Sequence, residues 1–111
     1  MVPELSPAIR SSIREAAEKL RARFGGRLRD VVLFGSHAWG EPDEESDVDL
    51  CIVIDELTQA ERSEAMDIAA EVGIERDVQL APLVWSAEEL RARVTHEQAL
   101  ALDIEERGVR L

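Results

Sequence analysis

Four residues in one stretch have the types and the spacing to handle phosphate chemistry. Gly35 and Ser36 stand together, ten residues follow, and Asp47 and Asp49 flank Val48. A glycine lets the backbone turn tightly and approach a ligand closely, and the serine adds a hydroxyl and an N–H that suit anionic oxygens. A Gly-Ser pair alone is more often a simple turn. Asp-x-Asp sharpens the reading, because residues two apart on a strand point the same way, roughly 6.6 Å apart along it. That spacing lets two carboxylates converge on divalent cations, which in two-metal sites lie ~3.5–4 Å apart. Without a cation, two such charges repel and one tends to hold its proton. The plainer alternative is a pair of solvated acids at the start of a strand.

A third carboxylate is the natural complement. Asp77 is the candidate, since it precedes an apolar run much as Asp47 does; Glu75 has the same facing parity and stands second. His37 and Trp39, just after Gly-Ser, read as a turn residue and a packing residue. Trp39's place beside the site leaves base stacking open.

The flanking sequence supplies elements to hold these residues. Ser6 and Pro7 read as the cap and first position of a helix. Its apolar face is Ile9, Ile13, Ala16, Leu20 and Phe24, and Gly25-Gly26 stops it. Val31 to Phe34 is a continuous apolar run, as expected of a strand covered on both faces. A polar, acidic connection from His37 to Ser46 leads to a second strand over 47–54. Alternation there puts Asp47, Asp49, Cys51 and Val53 on one face and Val48, Leu50, Ile52 and Ile54 on the other.

Thr58-Gln59-Ala60-Glu61 is a capping box, opening a helix predicted to end at Gly73. A third strand is expected over about 76–84, with Pro82 marking an edge position or a strand end. Capping boxes at Ser86–Glu89 and at Thr95–Gln98 announce two short helices. Gly108 ends the last one and leaves Val109–Leu111 as a short strand. The order α-β-β-α-β-α-α is that of one α/β (α+β) domain, a small mixed sheet flanked by helices.

Length and charge narrow the function. At 111 residues there is room for one compact domain and none for a large acceptor-binding unit. The net charge of −11, from 24 acids and 13 bases, argues against stable binding to long nucleic acids or anionic membranes and suits cations or a basic partner. No run approaches the ~18–20 apolar residues of a membrane span, and the first residues lack a signal-peptide core. The single cysteine, Cys51, fits a reducing cytoplasm.

Gly-Ser, a spacer, Asp-x-Asp and a distant third acid resemble the signature of the polymerase-β-like nucleotidyltransferases. The small size and the ending ALDIEERGVRL are most similar to minimal nucleotidyltransferase (MNT) antitoxins, the partners of HEPN ribonuclease toxins. The resemblance implies the nucleotidyltransferase fold. By position it implies Gly35 and Ser36 against the triphosphate of ATP, and Asp47, Asp49 and Asp77 holding two Mg2+ ions, Asp77 also helping to deprotonate the acceptor. It further implies AMP transfer to a hydroxyl, by family resemblance a tyrosine, of a cognate HEPN toxin. Two alternatives stand beside it: a transferase acting on a small molecule, and an antitoxin that works by binding alone. One departure is visible: many relatives carry arginines after Gly-Ser, where this chain has His37 and Trp39. Arg91 and His96 resemble the toxins' Arg-x-x-x-x-His motif, but that motif belongs to an all-helical bundle and is set aside.

Overall fold

The computed structural model describes residues 5–39 and 47–111; the acidic connection over 40–46, with Glu41, Asp43, Glu44 and Glu45, lies outside the described residues. Helix α1 (Pro7–Phe24) starts as expected, the Ser6 hydroxyl accepting from the Ile9 N–H, and ends at Gly25, whose φ is +58°. A 3-10 turn over Gly25–Arg27 leads into β1 (Leu28–Phe34). A four-residue helix, α2 (Ser36–Trp39), follows at once, and β2 (Val48–Ile54) returns antiparallel to β1. Then come α3 (Gln59–Arg76), β3 (Leu80–Ser86), α4 (Ala87–Thr95), α5 (Ala99–Arg107) and β4 (Val109–Arg110).

The sheet order is β3-β2-β1-β4. β3 runs parallel to β2, and β4 lies antiparallel along β1. Pro82 therefore sits on an edge strand, where its missing N–H costs no ladder bond. Alternation along β1 and β2 sorts the core into two layers. Val31, Leu33, Leu50, Ile52 and Ile54 pack beneath α1 and α3 with Ile13, Leu20, Phe24, Ala65 and Ala69. Val32, Phe34, Cys51 and Val53 face the other way and meet Trp85 with Ala101 and Ile104 of α5. Among the described residues no helix is long and apolar enough to cross a membrane.

Two expected boundaries are corrected, for one physical reason. α3 does not stop at Gly73; it continues to Arg76 and closes with Asp77 in the left-handed conformation at φ +55°. The Val78 N–H donates to the Gly73 carbonyl at 2.9 Å and the Asp77 N–H to the Ile74 carbonyl at 3.4 Å, the paired bonds of a Schellman stop. Gly73 is there for proximity: a Cβ on it would lie 2.6 Å from the Val78 carbonyl oxygen. The expected capping box from Thr95 does not form either. Thr95 ends α4, and Glu97 at φ +55° makes the same kind of stop, with Gln98 N–H to Arg93 carbonyl and Glu97 N–H to Val94 carbonyl both at 3.0 Å. Gln98 caps α5 without a side-chain bond.

Candidate active site

β1 and β2 bring the two halves of the motif together. Phe34, the last residue of β1, pairs with Asp49 of β2, so the chain leaving β1 passes directly beside that carboxylate. Gly35 takes φ +79°, and a Cβ built on it would lie 2.2 Å from Asp49 Oδ2 and 3.1 Å from its Cγ. Both the conformation and the contact thus require glycine. The Gly35 carbonyl then accepts from Ala38 and Trp39 N–H groups at 3.1 and 3.2 Å, which winds Ser36–Trp39 into α2.

Asp47 is exposed just before β2, and Asp49 is half-buried on the same face, turned away from Val48 and Leu50. Burial raises the Asp49 pKa above its ordinary value, Asp47's negative charge raises it further, and His37 pulls in the opposite direction. A divalent cation between the two acids would relieve both the burial cost and the repulsion. The donor set therefore fits a metal, though among the described residues no group of three or more His, Cys, Asp or Glu side chains comes together to hold one.

Asp77, expected to open β3 beside this pair, is not on a strand. It is the exposed stop of α3, three residues before β3 begins; Glu75 lies in the last turn of that helix. The β3 residues beside the acids are different ones. Ala81 pairs with Asp49 and Leu80 with Val48. The Val48 N–H donates to the Gln79 carbonyl at 2.8 Å, so Gln79 is the lateral neighbour of Asp47. Alternation along the expected strand puts Gln79 on one face with Asp77, but the parallel register that sets Gln79 and Ala81 beside the acids became visible only with the α3 boundary.

His37 is buried. Trp39 is half-buried and packs, as expected, but its partner was unforeseen: the Arg107 guanidinium, from the end of α5, sits 4.1 Å above its ring centroid. This cation–π contact brings a positive charge from the far end of the chain to the segment after Gly-Ser. Among the described residues, the buried Trp39 Nε1 has no hydrogen-bond partner. Arg91 and His96 are both exposed, on and just after α4, away from any helical bundle.

A two-layered α/β sheet with Gly-Ser packed on Asp-x-Asp defines a class, and comparison with known proteins agrees. Residues 13–109 match the model of the nucleotidyltransferase domain, and the chain belongs to that family. It is 34% identical over 74 residues to the "Putative protein adenylyltransferase MJ0141" of Methanocaldococcus jannaschii, a match covering 66% of this chain and 75% of that protein. Among solved structures, a "putative nucleotidyltransferase" of Sulfolobus solfataricus aligns over 96% of this chain and 87% of its own, with a TM-score of 0.55 and 21% identity. A toxin–antitoxin crystallised with AMP-PNP aligns over 86% of this chain and 68% of its own, with a TM-score of 0.52 and 21% identity. These two likenesses carry the fold.

Proposed function

We propose that this protein transfers AMP from ATP to a hydroxyl of a partner protein, a HEPN-type toxin whose acceptor is a tyrosine, and so acts as a cytoplasmic antitoxin. The observation that carries the proposal is the packing of Gly35 against the Asp49 carboxylate, with Asp47 on the same face. A tight turn and a pair of acids side by side at one end of the sheet support a reading in which the turn accommodates phosphate. Asp47 and Asp49 are the residues that would hold magnesium. Bound there, it would supply charge neutralisation at the reacting phosphate and at the departing pyrophosphate.

The protein's own contribution is position. Gly35 keeps side-chain bulk away from the triphosphate, and Ser36 offers its hydroxyl to a phosphate oxygen, a charged hydrogen bond worth ~1.5–3 kcal/mol. The fixed strands β1 and β2 hold turn and acids in register. The adenylyltransferase relative and the nucleotide-bound toxin–antitoxin neighbour support the choice of donor and acceptor class. The net charge of −11 suits a basic partner, whose approach it would speed in a salt-dependent way.

The test is intact-mass analysis of a candidate toxin after incubation with this protein, ATP and magnesium. A gain of one AMP is expected, lost with Asp47→Asn and with Asp49→Asn while both variants melt cooperatively. Toxin inhibition with no mass gain would leave binding alone as the mechanism. Unfolding of either variant would make the acids structural.

A further inference from the structure

Among the described residues, the side of the acid pair that faces β3 carries no carboxylate. Parallel pairing sets Leu80 beside Val48, Ala81 beside Asp49, Leu83 beside Cys51 and Trp85 beside Val53. Paired residues share a face: Leu80 packs with the α1–α3 layer that holds Val48, and Leu83 and Trp85 pack with the layer that holds Cys51 and Val53. Val78 and Leu80 both belong to the α1–α3 side, so Gln79 between them, exposed, points to the opposite side, which is that of Asp47 and Asp49. Its carbonyl is tied to Val48 at 2.8 Å, which fixes its level beside Asp47. Asp77, the nearest acid in the sequence, is taken up as the left-handed stop of α3.

We infer that Gln79 fills the third position of the site, as a neutral amide that hydrogen-bonds the acceptor group and cannot take its proton. The inference rests on the reading of Asp47 and Asp49 as the metal-holding pair. In the transfer, the acceptor oxygen bonds to the α-phosphorus of ATP and the bond from that phosphorus to the bridging oxygen breaks. Pyrophosphate leaves with the electron pair. The acceptor's proton goes to water and not to a β3 side chain, because an amide has no basic lone pair at neutral pH. Two consequences follow. Deprotonation of the acceptor precedes transfer, so the rate rises with pH up to the acceptor's own pKa. Metal affinity receives no carboxylate from the β3 side and is open to improvement by one at residue 79.

Gln79→Glu changes one amide to a carboxylate of the same size at an exposed residue, so the fold is not at risk; Gln79→Asp is the shorter companion. Mn2+ binding by calorimetry, in about 1 M salt where charges act over only ~3 Å, gives a readout separate from catalysis. At least one of the two variants should bind Mn2+ tenfold or more tightly than the native protein, and Asp77→Asn should bind within twofold of it. The pH–rate slope of the native protein should flatten in the tighter-binding variant. Two outcomes would overturn the inference: Mn2+ affinity unchanged in both Gln79 variants, or a loss with Asp77→Asn as deep as that with Asp47→Asn. Equal binding by the native protein and Asp47→Asn would instead overturn the reading of the acid pair beneath it.

Discussion

Gly35→Ala tests the joint between the turn and the acid pair. The native φ of +79° is a region that L-residues enter at a cost of about 1–2 kcal/mol. The added methyl would also stand 2.2 Å from Asp49 Oδ2, a distance no real contact reaches, so the carboxylate must swing off its preferred rotamer for about another 1 kcal/mol. Together the loss is about 2–3 kcal/mol, or roughly 10 °C in the melting temperature of a domain this size. Asp49→Ala alone should be close to neutral, because it removes a half-buried acid whose charge is disfavoured by burial and by Asp47. In the double variant the collision is gone and only backbone strain remains, so the two changes should fail to add by about 1 kcal/mol. Urea denaturation of the four proteins measures that coupling, and Mn2+ titration of Gly35→Ala should show at least a tenfold loss of affinity. Additivity to within about 0.3 kcal/mol, with Mn2+ affinity unchanged, would refute the claim that Gly35 is kept small for Asp49.

Three further expectations follow from other parts of the molecule. Gly108→Ala would put a Cβ 2.4 Å from both the Ile104 carbonyl oxygen and Val32 Cγ1, at an ordinary φ of −70°; overpacking should cost ~1–3 kcal/mol by urea denaturation, whereas Gly26→Ala, with open space around it, should be neutral. The Arg27 guanidinium, with the Thr58 backbone N–H, holds the Glu61 carboxyl down to about 2, against an ordinary 4.5. Because the folded pKa is the lower one, this pairing stabilises fully above pH 4.5 and is lost as pH falls from there toward 2; the melting-temperature gap between the native protein and Arg27→Met should shrink across that window, and a constant gap would refute the pairing. Burial, with the charge of Asp30, pushes the Cys51 thiol up to about 12, so a thiol reagent at pH 8 should label it only at the rate of unfolding.

Most elements were legible because their signals are local. Ser6-Pro7 and the two working capping boxes mark helix starts, and alternation from Val48 to Ile54 states which face carries Asp49. What could not be read was where a helix stops without glycine. Asp77 and Glu97 both take φ +55°, a conformation that costs such residues something, and no pattern announces it. Gly73, which looked like the stop, is required instead by the close pass of the Val78 carbonyl. That single misplacement moved the start of β3, and with it the residue opposite Asp47. Non-local facts were equally hidden: the parallel register of β2 with β3, and the stacking of Arg107 on Trp39, arise from packing between segments far apart in sequence.

The order β3-β2-β1-β4 also dictates a sequence of assembly events. The β1–β2 pair joins neighbouring segments, and β3 follows by way of α3, but β4 must travel from residues 109–110 back to Val32 and Leu33. Closing so long a loop is entropically slow and is repaid only when β4 and the Leu111 N–H, which donates to the Val31 carbonyl at 2.9 Å, are in place. During synthesis the edge of β1 therefore stays open after Gly35 and Asp49 have met. A nascent chain would carry an assembled turn and acid pair beside an uncovered strand, the kind of edge on which chaperones act and misassembly begins.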